Sequence, residues 1–251
     1  MTLLETVELT KQFGGVTAVQ DFDLCLAEGK VYGLLGPNGS GKTTLLNLVS
    51  RLLAPTKGKI FFRGKDITRL SPFKLPRLGI ARTFQHTRLF EDLTLIENVM
   101  LGHYCREFST VGHILLQTRG ARSEERLCRA RAIKRLAEMG LADLARVRPH
   151  SVSYGQQRLV EIARALMAEP QLLLLDEPTA GLSFEEAALV GNLVRDLARQ
   201  GISSLIVEHN VRFLSSSCDW IIALAEGRKL VEGTPNVVLS HPKVHEVYFA
   251  A

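Results

Sequence analysis

The run Gly36-Pro37-Asn38-Gly39-Ser40-Gly41-Lys42-Thr43 has the composition and spacing of a loop that wraps a string of phosphates. Glycines let the backbone curl so that successive N–H groups face inward, and a helix beginning at Lys42 adds its positive end. In that arrangement Lys42 reaches the outer phosphates, Thr43 offers a hydroxyl to Mg²⁺, and Thr44 adds a further contact in the same turn. A second group, Leu172-Leu173-Leu174-Leu175-Asp176-Glu177, is an apolar strand ending in two acids. Asp176 then holds Mg²⁺, through water, and Glu177 orients and polarises an attacking water. His209 follows the next apolar strand and falls at the same edge, within reach of a terminal phosphate. Taken alone, the acidic pair is a buried strand reaching solvent and His209 is a surface histidine. The phosphate loop in the same chain favours the chemical reading.

These groups need a sheet whose strand ends lie level and a helix that starts on the loop. Short apolar strands are expected at Leu4–Leu9, Phe22–Leu26, Val31–Leu35 and Lys59–Phe62, with turns at Gly14-Gly15, Glu28-Gly29 and Lys57-Gly58. The helix from Lys42 buries Leu45, Leu46, Val49 and Leu53. The middle of the chain, from about Leu89 to Met167, reads as helical. Within it, Ser123 to Met139 carries a stripe of Leu127, Ala130, Ile133, Leu136 and Ala137. Strands at Gln171–Asp176 and Ser203–Val207 then alternate with helices at Phe184–Gln200 and from Asn210. Uniformly apolar strands between helices predict an α/β core with a buried, mainly parallel sheet, a helical insertion and some antiparallel strands near the N-terminus.

With 251 residues the chain can bury a full core. No apolar run approaches the roughly 20 residues of a membrane span, and the first residues lack the pattern of a signal peptide, so a cytosolic location is expected. Cys25, Cys105, Cys128 and Cys218 are too scattered for a zinc or redox motif and read as reduced thiols. Much of the net charge of +5 comes from Arg119, Arg122, Arg126, Arg129, Arg131, Lys134 and Arg135, a solvated helix face by this reading. The absence of interleaved aromatic residues weighs against binding of single-stranded nucleic acid.

Together the phosphate loop and the acidic strand identify a P-loop NTPase. Upstream of that strand, Val152-Ser153-Tyr154-Gly155-Gln156-Gln157-Arg158 resembles the signature of ABC ATPases, whose usual form is Leu-Ser-Gly-Gly-Gln. Ser153, Gly155 and Gln156 match; Val152 and Tyr154 depart. The resemblance runs the whole length. It implies the ABC ATPase fold: a P-loop NTPase core with a mainly parallel sheet, an antiparallel N-terminal β part and an α-helical insertion subdomain. The implied single domain spans 1–251, with a nucleotide-binding core at 1–88 and 168–235, a helical subdomain at 89–167 and a short C-terminal extension at 236–251.

The same resemblance implies roles for individual residues. Gln85 matches the glutamine that contacts Mg²⁺ and the membrane partner, and motion passes to that partner near Gln85 and Phe90. Phe13 matches the aromatic that stacks on adenine. Ser153, Gly155 and Gln156 meet ATP held by an opposing subunit. The loop Ala180-Gly181-Leu182-Ser183 ends in serine where the family usually has aspartate. Implied cofactors and partners are ATP and Mg²⁺, a homodimer or a heterodimer with a related ATPase, permease subunits on the inner face of the cell membrane and, indirectly, a solute-binding protein, without nucleic acid.

Within the family, Phe13–Val19, Ala81–Phe90, Tyr154–Arg158, an insertion at about His103–Arg131 and the tail Glu232–Tyr248 look like the ATPases of branched-chain amino acid importers, with urea and amide importers as relatives. Lipopolysaccharide-export ATPases share the His209-Asn210-Val211-Arg212 style and usually lack the long insertion. Further alternatives are a soluble ABC ATPase acting on DNA or ribosomes, a non-hydrolysing regulator, and a kinase or GTPase; the last pair of enzymes lack a segment like Val152–Arg158.

Overall fold

Two long strands, β1 (Thr2–Phe13) and β2 (Val16–Ala27), form a hairpin whose tip is Gly14-Gly15, with Phe13 facing Val16. The computed structural model describes residues 1–83, 89–104 and 119–249, without side-chain detail for 119–122 and 249. With β4 (Lys57–Phe62) and β5 (Lys65–Asp66) the hairpin makes an antiparallel sheet in the order β2-β1-β4-β5. Lys57-Gly58, expected as a turn, lies inside β4. Gly58 has φ 86°, and a Cβ there would meet the Glu8 carbonyl oxygen at 2.5 Å. The glycine therefore serves a close backbone approach where the register with β1 shifts between Val7 and Thr10.

The second sheet runs β10-β9-β3-β8-β7-β6, from β3 (Val31–Leu35), β6 (Ile80–Arg82), β7 (Leu172–Asp176), β8 (Ser203–Val207), β9 (Trp220–Ala225) and β10 (Arg228–Gly233). All neighbours are parallel except the β9–β10 hairpin. Every residue of β3, β7 and β8 is buried, as a sheet covered on both faces requires. Alternation divides their side chains. Leu172, Leu174, Leu205 and Val207 pack toward the antiparallel sheet and α1 (Lys42–Val49); Leu173, Leu175 and Ile206 pack beneath the other helices. Each such buried leucine contributes about 1.5–3 kcal/mol.

Between β6 and β7 the described chain is helical, with α2 (Leu75–Leu78) preceding β6, then α3 (Leu95–Tyr104), α4 (Arg119–Glu138) and α5 (Tyr154–Leu166). Of the apolar stripe expected over Ser123 to Met139 only Leu136 is buried; Leu127, Ala130, Ile133 and Ala137 are exposed. Cys128, Ala132, Leu136 and Met139 face inward. On α4 itself Cys128 Sγ comes within 3.9 Å of the Met100 carbonyl oxygen of α3, a close approach that a small side chain permits; α3 in turn presses on α5, where a Cβ on Gly102 would lie 1.9 Å from the Arg164 carbonyl oxygen. The basic residues Arg126, Arg129, Arg131 and Lys134 are exposed, and some pair with carboxylates, as in Arg131–Glu169 at 2.8 Å. The chain continues through α6 (Phe184–Arg199), α7 (Val211–Ser217), α8 (Pro235–Leu239) and α9 (Pro242–Phe249). No helix among the described residues is long and apolar enough to cross a membrane. Cys25 is exposed, Cys128 and Cys218 are buried free thiols, and Cys105 lies outside the described residues.

Candidate nucleotide site

The parallel pairing sets β3, β7 and β8 level: Leu34 aligns with Val207, and Val207 with Asp176. Their carboxyl ends therefore deliver Gly36, Asp176-Glu177 and Glu208-His209 to one edge of the sheet, where such sheets bind ligands. The loop from Gly36 to Gly41 is specified by two close approaches. A Cβ at Gly36 would meet Ser40 Oγ at 2.2 Å and the Leu224 carbonyl oxygen at 2.8 Å; one at Gly41, with φ 101°, would meet the Ala18 carbonyl oxygen at 2.3 Å. Asn38, Gly39 and Thr43 are exposed, Pro37 and Thr44 half-buried, and Ser40 is buried. The β9–β10 turn braces the loop from outside, where Gly227 N–H donates to the Ser40 carbonyl at 3.0 Å.

Lys42 is buried, and its Nζ donates to the carbonyls of Gly36 at 2.6 Å and Pro37 at 2.9 Å. Burial lowers its pKa, against the pull of Glu177 and Asp176, whose charges favour the ammonium. Asp176 is buried against Arg82 at 3.0 Å, and Arg82 also donates to Asn47 Oδ1 and Ser50 Oγ, each at 2.6 Å. Burial pushes the Asp176 carboxyl above its ordinary range, with Arg82 opposing. Asp176 Oδ1 is buried and accepts no hydrogen bond among the described residues, which suits an acid that serves a cation or its water shell.

Glu177 follows with φ +48°, a left-handed conformation rare for a residue with a side chain. Its Oε1 lies 2.9 Å from His209 Nε2, within hydrogen-bonding distance. Glu208, buried beneath the pair, accepts from Thr179 N–H at 2.8 Å and the Thr179 hydroxyl at 2.5 Å, and from the backbone N–H groups of His209 at 3.0 Å and Asn210 at 3.3 Å. One carboxylate thus fixes the loops that carry Glu177 and His209 relative to each other.

The segment from Ser153 lies at the start of α5. Ser153 Oγ accepts from Gln156 N–H at 3.1 Å, and Gln156 Oε1 accepts from Ser153 N–H at 3.0 Å, a reciprocal cap. Ser183 caps α6 in the same manner with Glu186. The serine in place of the family's aspartate therefore retains a capping side chain. The two loops touch: a Cβ at Gly181 would lie 2.9 Å from the Tyr154 ring, and one at Gly155 would lie 2.8 Å from the Glu186 carboxylate. Phe13, 47% exposed at the hairpin tip, has Lys11 Nζ 5.0 Å from its ring centroid. Gln85 lies outside the described residues. Missed as site residues from the sequence were Arg82, Arg158 and Glu208; each only borders an apolar run, Ile80-Ala81, Leu159-Val160 and Leu205–Val207 respectively, which does not single it out.

The family model described as ABC transporter matches residues 19–180, more than half of the chain. The chain belongs to the ABC transporter family. This ABC ATPase is 35% identical over 247 residues to the high-affinity branched-chain amino acid transport ATP-binding protein BraF of Pseudomonas aeruginosa, covering 98% of this chain and 97% of that protein. Among solved structures it resembles the ADP conformation of an ATP-binding cassette of an ABC transporter, at TM-score 0.87 and 34% identity over 100% of both chains. It also resembles a dimeric cassette in a post-hydrolysis state bound to ADP and Pi, at TM-score 0.80 and 27% identity over 93% of this chain and 99% of that one. The ABC ATPase fold expected from the sequence is observed, and the activity is that of an ABC transporter ATPase subunit, which binds and hydrolyses ATP.

Proposed function

We propose that this ABC ATPase powers uptake of branched-chain amino acids, as one of two cassettes that close head to tail on ATP. The observation that carries the hydrolytic reading is the Glu177–His209 contact of 2.9 Å at the sheet edge beside the phosphate loop. The loop 36–41 with Lys42, Thr43 and Thr44 cradles the phosphates, and Phe13 stacks on adenine, a role suited to an exposed aromatic. Thr43 and Asp176 would hold Mg²⁺, with Gln85 as a further ligand; the ion would offset charge on the β- and γ-phosphate oxygens. Glu177 orients and polarises the attacking water. His209 fixes that carboxylate and contacts the γ-phosphate.

The other half of each site comes from the partner cassette. Ser153 keeps its O–H free to donate while its oxygen caps α5, and the N–H groups at Gly155 and Gln156 add the positive end of a helix. ATP bridges two surfaces that attract each other poorly without it, and loss of the γ-phosphate removes the bridging charge. The core at 1–88 and 168–235 then rocks relative to the helical part at 89–167, with 236–251 as an appended tail. Phe90, 59% exposed on a turn gripped by Asn98, offers an aromatic contact to a permease subunit. Through that contact the ATPase sits on the inner face of the membrane and serves a solute-binding protein indirectly. The branched-chain amino acid assignment rests on relatives such as BraF.

The test is reconstitution in vesicles with permease subunits and a branched-chain amino acid-binding protein. ATP-dependent leucine uptake that stops with Glu177→Gln supports the proposal; uptake unaffected by that change refutes it.

A further inference from the structure

Arg158 lies one turn into α5 and is 1% exposed. Its Nη2 donates to the carbonyl oxygen of Glu177 at 2.8 Å and, more weakly, to that of Asp176 at 3.4 Å. Its Nη1 is 3.5 Å from Glu161 on the same helix, and Glu161, equally buried, also takes Arg164 at 3.3 Å. The guanidinium therefore shares a carboxylate on its own helix and is directed across to the backbone that carries the site's two acids. That backbone needs holding. Glu177 has φ +48°, a conformation that persists in a residue with a side chain only when its surroundings enforce it. Its N–H is fixed by the Val207 carbonyl at 2.9 Å, and its carbonyl by Arg158. In this posture its carboxylate meets His209.

We infer that Arg158 is a positioning residue for Glu177, and that through it the start of α5 governs hydrolysis at the chain's own phosphate loop. This rests on the head-to-tail reading above, in which that helix start receives ATP held by the partner cassette. A shift of α5 driven by the partner's nucleotide moves the Arg158 fork, and with it the carbonyl of a residue whose backbone has few alternatives. Lysine can carry the charge but lacks the planar fork that sends one nitrogen to the Glu177 and Asp176 carbonyls and the other to Glu161.

The test uses the full chain carrying Arg158→Met with Glu161→Met, which removes both fully buried charges together; Arg164, which loses the Glu161 carboxylate, is 18% exposed and reaches solvent. Misplacement of Glu177 lowers kcat by about a hundredfold and leaves ATP affinity within about threefold of the parent. Two sites linked through α5 give the parent a sigmoidal ATP dependence, which becomes hyperbolic in the double variant, and Arg158→Lys recovers part of kcat. A folded double variant with kcat within about twofold of the parent, or with affinity and kcat falling together, overturns the inference, as does a kcat loss that leaves the sigmoidal dependence intact. If the double variant does not fold, Arg158→Lys alone decides by the same kcat and affinity readings. Glu177→Gln is assayed in parallel: normal turnover there defeats the hydrolytic reading, whereas a stalled Glu177→Gln beside a normal Arg158 variant defeats only this inference.

Discussion

The phosphate loop and the Ser153 segment both start a helix with serine and glycine, yet they are built differently. The loop is closed on itself. Its lysine is buried and satisfied by two carbonyls, its Gly36 and Gly41 are pressed against backbone, and its acids lie on a sheet buried on both faces. At α5 Ser153 and Tyr154 are exposed, and the local hydrogen bonds are spent on capping. The loop is preorganised and can bind a nucleotide alone. The helix start offers only a dipole, a hydroxyl and N–H groups, and acts when something brings a phosphate to it. The difference teaches that affinity and assembly should separate under mutation.

The largest effect expected is on chemistry. Glu177→Gln lowers kcat by about 10²–10⁴-fold, the usual contribution of a positioned acid–base group, and traps a nucleotide-bound dimer; normal phosphate release would remove Glu177 from its role. Next, Lys42→Ala weakens ATP binding by about 10–150-fold, the equivalent of one charge-assisted contact worth ~1.5–3 kcal/mol, as titration calorimetry would register. Ser153→Ala, in contrast, leaves monomer affinity unchanged and weakens ATP-driven dimerisation, at a cap cost of about 0.5–2 kcal/mol in stability. An equal loss of monomer affinity in both variants would erase the distinction.

A smaller effect follows from pH. Burial lowers the Lys42 pKa in the free chain, and phosphates bind the charged form. ATP affinity is therefore flat below that pKa and falls by up to about tenfold per pH unit above it, beginning before the ordinary lysine range. Affinity unchanged until lysines normally titrate would contradict the burial argument. The smallest effect belongs to Ser183→Asp, which exchanges one good cap for another and should shift the thermal midpoint negligibly.

Much of this site was legible because its chemistry is local in sequence. Gly36 to Thr43 lie on consecutive residues, and Asp176-Glu177 end an apolar strand whose buried edge is readable from its leucines. Arg82, Glu208 and Arg158 were not legible, because each works through a partner distant in the chain: Asp176, Thr179 and the Glu177 carbonyl. The stripe on α4 failed for a related reason. Periodicity ranks residues by hydrophobicity, whereas the close approach of α4 to α3 at Cys128 and Met100 selects by size, so Cys128 and Ala132 face the core and Leu127 and Ile133 face solvent. The turn expected at Lys57-Gly58 failed because glycine also serves a bulge, and only the facing Glu8 carbonyl distinguishes the two.

The most direct measurement mixes two inactive chains, one carrying Lys42→Ala and the other Ser153→Arg. If ATP is held between the loop of one cassette and the helix start of the other, each mixed pair keeps one intact site. ATPase activity then returns to at most about a quarter of the parent level, because half of the pairs are mixed. If both variants are folded and mixing restores nothing, the two halves do not meet across a dimer, and the account of shared sites is wrong.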